Sequence, residues 1–429
     1  MQKIFSILIL LLPINSWSLD VQNIKSKEGF SFWFVEDHSV PIISMSFSFK
    51  GGAFFDEKGK EGTSNFVASL LDEGSENFNA KQFQEKMKSL GMKLRFSVNR
   101  DSFSGTFQTI EENKKESFNL LRLALTKPTF SNDSIEKIRN QVSASIRINQ
   151  SDIQRLSSEK FDENFYKDHN FSRSEIGTLE SITKIKRDDL MNYLRNFLTK
   201  SNLTIGISGD VEKDELTTLI HSTFKDLAKG VNMEFNIPEL RSLNKGVLNI
   251  KKKTPQTSVV FGHRGLQRNH EDFFAARIAN YVLGGGGFQS KLYKKIREEK
   301  GLVYSIYSYL IPYINDGVII GGFSTKNETV AETIDLLKSE WKKAKNIGIS
   351  ESELQNAKSY FIGSFSRNFS STLSIASLLK TIQVYNLGIE YFTERKKIIE
   401  NLSLNKVNEV SKRFFEVDDL FIIVVGNAK

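Results

Sequence analysis

The chain has 429 residues, of which 39% are hydrophobic and 26% charged, and it contains no cysteine. This length predicts two or more domains, and this composition excludes both a disordered chain and a membrane-embedded one. Without cysteine, disulfide bonds, thiolate catalysis and cysteine-ligated zinc are excluded. The formal net charge is +8, but lysine is spread along the chain between acidic residues. Since no basic stripe carries interleaved aromatic residues, no nucleic-acid partner is expected.

The first residues, "MQKIFSILILLLPINSWSLD", have the pattern of a secretory signal peptide. Lys3 supplies the positive charge that precedes a short apolar core, Ile4–Leu12. Ser16 and Ser18 are the small residues that favour cleavage before Leu19. An uncleaved anchor is the alternative, although the apolar run is short for a membrane span. The pattern predicts an exported protein, with the periplasm as the expected compartment and no membrane span after cleavage.

The stretch "EGTSNFVASLLDEGSENFNA", residues 61–80, predicts an amphipathic helix that is entered through small residues. Its apolar side carries four large side chains, those of Phe66, Val67, Leu70 and Leu71. Between them lie Asn65, Ala68 and Ser69. None of these three side chains is a group that commonly activates water for hydrolysis.

Two halves of the chain repeat one order of predicted elements. In the first half, strands in "GFSFWFV" and "PIISMSFSFKGGAFF" precede this helix, strands in "KLRFSVNRDSFSGTFQTI" follow it, and helices lie in "ENKKESFNLLRLALTKPTF" and "SNDSIEKIRNQVSASIRI". The second half runs through "GVLNIKKKTPQTSVVFGHRG", "DFFAARIANYVLGGGG", "GLVYSIYSYLIPYINDGVIIGGFSTK" and the helices in "NETVAETIDLLKSEWKKAKNIG" and "SESELQNAKSYFIGSFS". The halves also end alike, in "SNLTIGISGDVEKDELTTLIHSTF" and "DDLFIIVVGNAK".

Alternating apolar residues predict antiparallel strands with one covered face, and the helical periodicity supplies the cover. The predicted fold class is therefore α+β, with two homologous domains that each consist of a mostly antiparallel sheet covered by helices. The predicted bounds are 1–18 for the signal peptide, 19–230 for the first domain, 231–246 for a linker and 247–429 for the second domain. The linker, Val231–Gly246, is polar and contains Pro238.

Three stretches resemble the pitrilysin/insulinase family of metallopeptidases, and most closely its short members, the mitochondrial processing peptidase and bacterial two-chain relatives. "FKGGAFFDEKGKEGTSNF" resembles the glycine turn that leads into the zinc helix of that family. "HNFSRSEIGTLESITKIKRDDLMNYLRNFLTKSNLTIGISGDV" resembles the passage that closes its first domain. "YVLGGGGFQSKLYKKIREEKGLVYSIYS" resembles its glycine-rich segment and the arginine/tyrosine pair that follows. The resemblance implies the processing-peptidase fold for nearly the whole mature chain.

Active members of that family carry H-x-x-E-H on the zinc helix. Two histidines four residues apart lie on one helix face and can both bind Zn²⁺, while the glutamate takes a proton from the metal-bound water. The resemblance places Asn65 and Ser69 at the histidine positions and Ala68 at the position of the base. It places Ser145 at the further glutamate ligand. The chain is therefore expected to bind no metal and to have no catalytic residue of its own.

The histidines do not suggest a relocated zinc site. The five are His38, His169, His221, His263 and His270. No two of them are four residues apart, and "GHRGLQRNHED", which holds the last two, predicts a strand end and a loop. We expect structural or solvent-exposed histidines.

The second half retains residues that the resemblance links to substrate. Arg297 and Tyr304 match the arginine/tyrosine pair of the family, and both are suitable donors to a peptide carbonyl. Gly285 and Gly286, in the run Gly284–Gly287, are expected to provide flexibility or close approach to an extended peptide. The run is not a phosphate loop, since it lacks the G-x-x-x-x-G-K-[ST] pattern. The alternative for Arg297 is a surface ion pair at a helix–strand junction.

Taken together, these patterns predict a zinc-less, non-catalytic subunit of an exported two-chain metallopeptidase. Its partner would be a chain of the same family with H-x-x-E-H and the zinc ion, and a peptide would be the shared substrate. The alternative from another class is a structural or peptide-binding member without a role in proteolysis, as are the respiratory-complex core subunits of that family. An active peptidase with other ligands is disfavoured because the metal-binding positions are lost.

Overall fold

A computed structural model describes residues 20–25, 29, 31–230, 237–240 and 243–428. The predicted signal peptide, residues 1–18, lies outside the described residues. Within the described ranges, no helix combines the length and the apolar character that crossing a membrane requires.

The first half begins with strands and continues with a helix–hairpin–helix series, as the repeat predicts. Its described elements are β1 (Gln22–Lys25), β2 (Ser31–Glu36), β3 (Ile42–Lys50), α1 (Thr63–Leu70), β4 (Gly74–Ser75), β5 (Phe78–Asn79), α2 (Ala80–Ser89), β6 (Lys93–Val98), β7 (Ser102–Ile110), α3 (Lys114–Thr126), α4 (Asn132–Ser151), α5 (Ile153–Phe165), α6 (Ser181–Lys184), α7 (Arg187–Phe197), β8 (Leu203–Gly209) and α8 (Lys213–Phe224).

The second half follows a similar course. Its described elements are β9 (Gly246–Lys251), β10 (Gln256–Arg264), α9 (Phe273–Asn280), β11 (Val303–Pro312), β12 (Gly317–Lys326), α10 (Val330–Asn346), α11 (Glu351–Ser364), α12 (Thr372–Val384), α13 (Tyr391–Asn401), α14 (Leu404–Phe414) and β13 (Phe421–Gly426). Two π-helical turns, Tyr281–Gly285 and Tyr293–Glu299, lie between α9 and β11.

The two sheets have matching topology, which confirms the predicted α+β fold of two similar halves. The first sheet has the order β1-β2-β8-β3-β7-β6 and the second the order β9-β13-β10-β12-β11. In the first, β2 and β8 are parallel, whereas β8, β3, β7 and β6 pair antiparallel. The second sheet has the same pattern, with β9 parallel to β13 and the other pairs antiparallel. Strands β6 and β11 therefore occupy equivalent edges.

Each half supplies a helix that covers the outer face of the other half's sheet. Helix α5 lies on β10 and β13, where the ring of Phe161 is 5.5 Å from that of Phe421. Helix α12 lies on β8, β3 and β2, and the Gln383 side chain donates to the carbonyl of Ile205 at 2.8 Å. This exchange joins the halves through buried aromatic and apolar surface. Pattern and periodicity did not predict it, because both describe contacts within a half.

Two described residues of the predicted linker are buried at this junction. Ile237 and Leu240 are 5% and 2% exposed and pack in a cluster with Phe161 and Tyr313. The backbone N–H of Leu240 donates to the Asp316 carboxylate at 3.0 Å. The segment is thus anchored to both halves at these points, and the exact domain bounds stay a prediction.

The helix predicted over residues 61–80 is wrong in length. Helix α1 ends at Leu70, although Phe66, Val67, Leu70 and Leu71 are all buried, as the apolar pattern indicated. Gly74 has φ +112°, a conformation that favours glycine, and it opens the short β4–β5 hairpin. The next helix, α2, begins at Ala80 behind an Asn79 cap.

Candidate functional site

Helix α1 is held in place by a buried carboxylate. Asp56 accepts hydrogen bonds from the backbone N–H groups of Gly62 and Ser64, at 2.8 and 2.9 Å, and from the Ser64 hydroxyl at 3.1 Å. These donors belong to the first turn of the helix, whose N–H groups have no partner within the helix itself. Burial raises the pKa of Asp56 to about 7 despite these hydrogen bonds. The helix that resembles the zinc helix is therefore formed, and buried hydrogen bonds hold its first turn.

The side chains on α1 and α4 at the positions that correspond to the zinc ligands and the base do not suit a metal. Helices α1 and α4 are in contact, so the fold brings together the elements that carry all four predicted positions. Asn65 and Ser69 are half-buried and Ala68 is buried, while Ser145 is exposed and its hydroxyl donates to the Gln141 carbonyl at 3.1 Å. Zinc prefers imidazole, thiolate and carboxylate ligands, and these positions offer none of them. The residues present do not fit the zinc ion of the family.

An arginine side chain lies at the contact between these helices. Arg139, on α4, lies over the Phe66 ring of α1 with 5.6 Å between the guanidinium carbon and the ring centroid. One of its nitrogens also donates to the Ile185 carbonyl at 3.0 Å. The arrangement stabilises the helix pair and does not supply a base for hydrolysis.

One histidine lies in a group of carboxylates that the sequence reasoning did not anticipate. His38 contacts Asp210 at 2.5 Å and Glu36 at 3.0 Å, and ligand atoms of Glu36, His38 and Glu212 lie within 4.8 Å of one another. Hydrogen bonds to Asp210 and Glu36 raise the pKa of His38 to about 9. The ring is thus an imidazolium at neutral pH, paired with carboxylates. His38 is solvent-exposed, as expected, but sequence spacing did not reveal the group around it, since Asp210 and Glu212 are distant from His38 in the sequence.

His263 behaves as a structural histidine. It is 3% exposed, its Nδ1 lies 2.6 Å from the Arg264 carbonyl oxygen, and Trp341 Nε1 donates to its Nε2 at 3.3 Å. Burial lowers the pKa of His263 to about 4, so the ring is neutral. Strand β10 ends at Arg264 and His270 follows in a loop, as predicted.

The glycine-rich segment packs against edge strand β11. A Cβ on Gly284 would lie 2.3 Å from the Ser308 hydroxyl oxygen, so this glycine is required for close approach. Gly285 and Gly286 are half-buried. Gly285 also lines a cavity of about 400 Å³. The segment therefore has a structural task at Gly284 and an accessible surface beside it.

Arg297 and Tyr304 lie on neighbouring elements, the second π-helical turn and the start of β11. Arg297 is half-buried, and within the described residues its guanidinium has no carboxylate partner within 4.0 Å. Its neighbours Lys295 and Glu299 pair with each other at 2.5 Å. Tyr304 is 81% exposed. The surface ion pair considered as an alternative for Arg297 is thus not formed, and both side chains remain available to another molecule.

Strand β11 presents a row of exposed side chains at the edge of the sheet, beyond the strands β10 and β13 that α5 covers. The row consists of Tyr304, Tyr307, Tyr309 and Ile311, which are 81%, 42%, 53% and 37% exposed. The equivalent edge, β6, exposes Lys93, Arg95 and Ser97 instead. The repeat alone did not predict that one edge has an aromatic row and the other a polar one. The spacing of the tyrosines in "YSIYSYLI" is the sequence signal for the aromatic row.

Two family profiles match the chain. The profile described as Insulinase (Peptidase family M16) matches residues 33–179. The profile described as Peptidase M16 inactive domain matches residues 184–361. Together they span most of the described chain.

Known proteins and solved structures resemble the chain over most of its length. A protein of Helicobacter pylori described as non-peptidase homolog YmxG is 27% identical over 403 residues, which are 92% of this chain and 91% of that protein. A Bacillus subtilis protein described as uncharacterized zinc protease YmxG is 24% identical over 365 residues, 83% of this chain and 86% of that one. The crystal structure of a peptidase M16 inactive domain from Pseudomonas fluorescens has a TM-score of 0.91 at 23% identity and covers 96% of this chain and 98% of its own. This last likeness shows the fold.

Proposed function

Because the chain belongs to the insulinase (M16) peptidase family, in which it is an inactive homologue, we propose that it is the zinc-less subunit of an exported two-chain metallopeptidase. One observation carries this proposal. The fold keeps α1 and α4 in contact, while the positions on them that correspond to zinc ligands hold Asn65, Ser69 and Ser145. Arg297 and Tyr304 stay accessible in the second π-helical turn and at the start of β11. The catalytic partner would have a similar length and carry both H-x-x-E-H and the zinc ion.

In this proposal, Arg297 and Tyr304 act on a peptide that the partner cleaves. The Arg297 guanidinium, which has no carboxylate partner among the residues that the structure describes, and the exposed Tyr304 phenol are hydrogen-bond donors that need little rearrangement to reach a carbonyl oxygen. Donors aimed at that oxygen stabilise the negative charge that develops on it during hydrolysis. The two side chains would thereby polarise the carbonyl and hold the peptide in register.

The row of β11 would bind the side chains of the peptide. Exposed tyrosines offer flat apolar surface together with a hydroxyl, which suits an adaptable peptide site. Their position along one edge strand matches an extended peptide, whose alternate side chains point to the same face.

The test is reconstitution. The chain is mixed with an H-x-x-E-H chain of similar length from the same genome, and sedimentation and hydrolysis of a fluorogenic peptide are measured for each chain and for the mixture. We expect a stable pair, and hydrolysis that requires both chains. Hydrolysis at an equal rate by the partner alone, or no association at micromolar concentration, would refute the proposal.

A structural or peptide-binding pseudopeptidase is the second candidate. The observation that favours it is the description of the Helicobacter pylori relative as a non-peptidase homolog. Association without any effect on hydrolysis would support this candidate.

A further inference from the structure

The cavity beside Gly285 is lined by cations and tyrosines. It has a volume of about 400 Å³, within the range of small-ligand sites. Arg268 and Arg277 are among its lining residues. The aromatic lining residues are Phe273, Phe361, Tyr281, Tyr309, Tyr360 and Tyr385. Two of these lining residues, Tyr309 and Tyr360, are 53% and 43% exposed.

Arg268 and Arg277 line this cavity, and Arg395 lies beside Arg268 over the same Phe274 ring; no carboxylate among the described residues compensates these three charges. Arg268 and Arg395 are 9% and 5% exposed, and Arg277 is half-buried. Within the described residues, none of the three has an acidic partner within 4.0 Å. Their polar contacts are neutral: Arg268 donates to the Tyr391 hydroxyl, and Arg395 to the Phe361 carbonyl at 3.0 Å.

Aromatic rings supply the rest of their surroundings. Arg268 lies 4.3 Å from the centroid of Phe273, Arg277 lies 4.8 Å from that of Phe361, and Arg395 lies 4.3 Å from that of Phe365. Such contacts stabilise a cation, but they do not cancel its charge. Burial, followed by the charges of Arg268 and Arg395, lowers the pKa of Arg277 to about 10. All three groups remain charged at neutral pH.

Another buried arginine of the chain shows the contrast. Arg100 is paired with Asp162 at 2.5 Å and with Glu175 at 3.3 Å. Burial would lower the pKa of Arg100, but the charge of Asp162 raises it above its usual range. Within the described ranges, the fold thus pairs the buried Arg100 with carboxylates and leaves the arginines at the cavity without one. Since an unpaired buried charge is costly, an anion from outside would complete the cavity.

We propose that this cavity binds the C-terminal carboxylate of a peptide, with the last side chain of that peptide against the tyrosine walls. Arg277 and Arg268 would hold the carboxylate, because the planar guanidinium matches its two oxygens. The identification of a peptide rests on the proposed function, and the cavity itself adds the requirement for a free chain end.

The position of the cavity relative to β11 agrees with a peptide. Tyr309 belongs both to the cavity and to the exposed row, which continues to Tyr304. The five residue steps from Tyr304 to Tyr309 span about 16 Å in an extended strand. A peptide of about five extended residues could therefore have its chain end at Arg277 and a carbonyl near Tyr304.

Binding to the isolated chain tests this inference, since it needs neither partner nor hydrolysis. The probe is a pentapeptide of four alanines and a C-terminal phenylalanine with an N-terminal fluorophore, prepared as the free acid and as the amide. Fluorescence anisotropy gives both affinities, and inorganic phosphate serves as a competitor. We expect the acid to bind at least about tenfold more tightly than the amide, because the amide loses a charge-assisted bidentate contact. Phosphate should compete only weakly, since it leaves the tyrosines uncovered.

Variants locate the site. Arg277→Gln should weaken binding of the acid at least about tenfold, and Arg277→Lys should weaken it less, because the charge stays while the fork is lost. Arg195→Gln, an exposed arginine on α7, is the control for charge and should bind as the wild type does. Without ligand, Arg277→Gln should unfold at the same or a higher temperature, because it removes a charge repelled by Arg268.

Equal affinity for the acid and the amide would overturn the inference, and the wild-type chain alone decides this. Phosphate that competes as well as the acid peptide would also overturn it, in favour of a small-anion site. If the acid peptide binds as expected but the reconstituted pair shows no hydrolysis, the proposed function fails and the chain-end site stands.

Discussion

Asn280 and Ser308 form a reciprocal pair of hydrogen bonds: the amide of Asn280 donates to the Ser308 carbonyl at 2.9 Å and accepts from the Ser308 hydroxyl at 2.6 Å. Both residues are buried. The pair joins the end of α9 to the edge strand β11, directly beside the glycine-rich segment. It therefore fixes the distance between that segment and the row that begins at Tyr304.

Asn280→Ala is expected to destabilise the chain. It leaves the hydroxyl and carbonyl of Ser308 without partners in a buried place, which costs about 1–3 kcal/mol. The free energy of unfolding in urea measures the effect. An exposed asparagine of α7, Asn192, provides the control Asn192→Ala, for which a change below about 0.5 kcal/mol is expected. Equal effects of both changes would show that the pair does not hold α9 to β11.

Gly284→Ala tests the close approach of the glycine segment to the strand. The added Cβ would lie 2.3 Å from the Ser308 hydroxyl oxygen and 3.0 Å from its backbone nitrogen, so the backbone must move. Such overpacking costs roughly 1–3 kcal/mol. The control is Gly363→Ala in α11, where nothing lies within 4 Å of the added Cβ and the helix should gain about 0.5–1 kcal/mol. Thermal unfolding of the two variants should shift in opposite directions.

Metal analysis tests the loss of the zinc site. We expect the purified chain to hold no stoichiometric zinc, because Asn65, Ser69 and Ser145 offer no suitable ligands. The group around His38 is the one place in the described chain where a histidine and two carboxylates converge. The decisive comparison is wild type against His38→Ala after dialysis. One tightly held zinc ion per chain, lost in any histidine variant, would contradict the account.

Asp56 predicts a pH dependence of stability. Its pKa is raised from 3.8 to about 7 by burial, so the folded chain binds this proton more tightly than the unfolded chain does. The resulting stability is fully present below about pH 4 and is lost as the pH rises through 7. Between pH 5 and pH 8, the wild type should lose roughly 2 kcal/mol more than Asp56→Asn, which does not titrate. Parallel curves of unfolding free energy against pH would contradict the assignment to Asp56.

Local patterns in the sequence predicted the elements well where those patterns were strong. The helices that became α3 and α4 and the β6–β7 hairpin follow from their periodicity and turns. The helix over residues 61–80 was too long, because the left-handed turn at Gly74 interrupts a favourable sequence.

Contacts between distant segments escaped prediction. The exchange of α5 and α12 depends on which sheet lies nearby, which periodicity does not encode. The cavity brings Arg268 and Arg277 together from a loop and α9, with Arg395 of α13 beside Arg268, and no spacing rule joins them. For the site, the resemblance identified both the lost metal positions and the pair Arg297 and Tyr304. The accessibility of Arg297 could be seen only in the structure.

The central claim is that Arg297 and Tyr304 contribute to hydrolysis on another chain. The most direct measurement compares kcat and kcat/KM of the reconstituted pair with wild type, Arg297→Ala and Tyr304→Phe, after each variant is shown to associate normally. Arg195→Ala serves as the control for an exposed arginine. We predict that each of the two variants lowers kcat and kcat/KM together by about 10²–10³, as loss of a donor used in the transition state does. Full activity of both variants in an intact pair would contradict the claim and assign the chain a structural role.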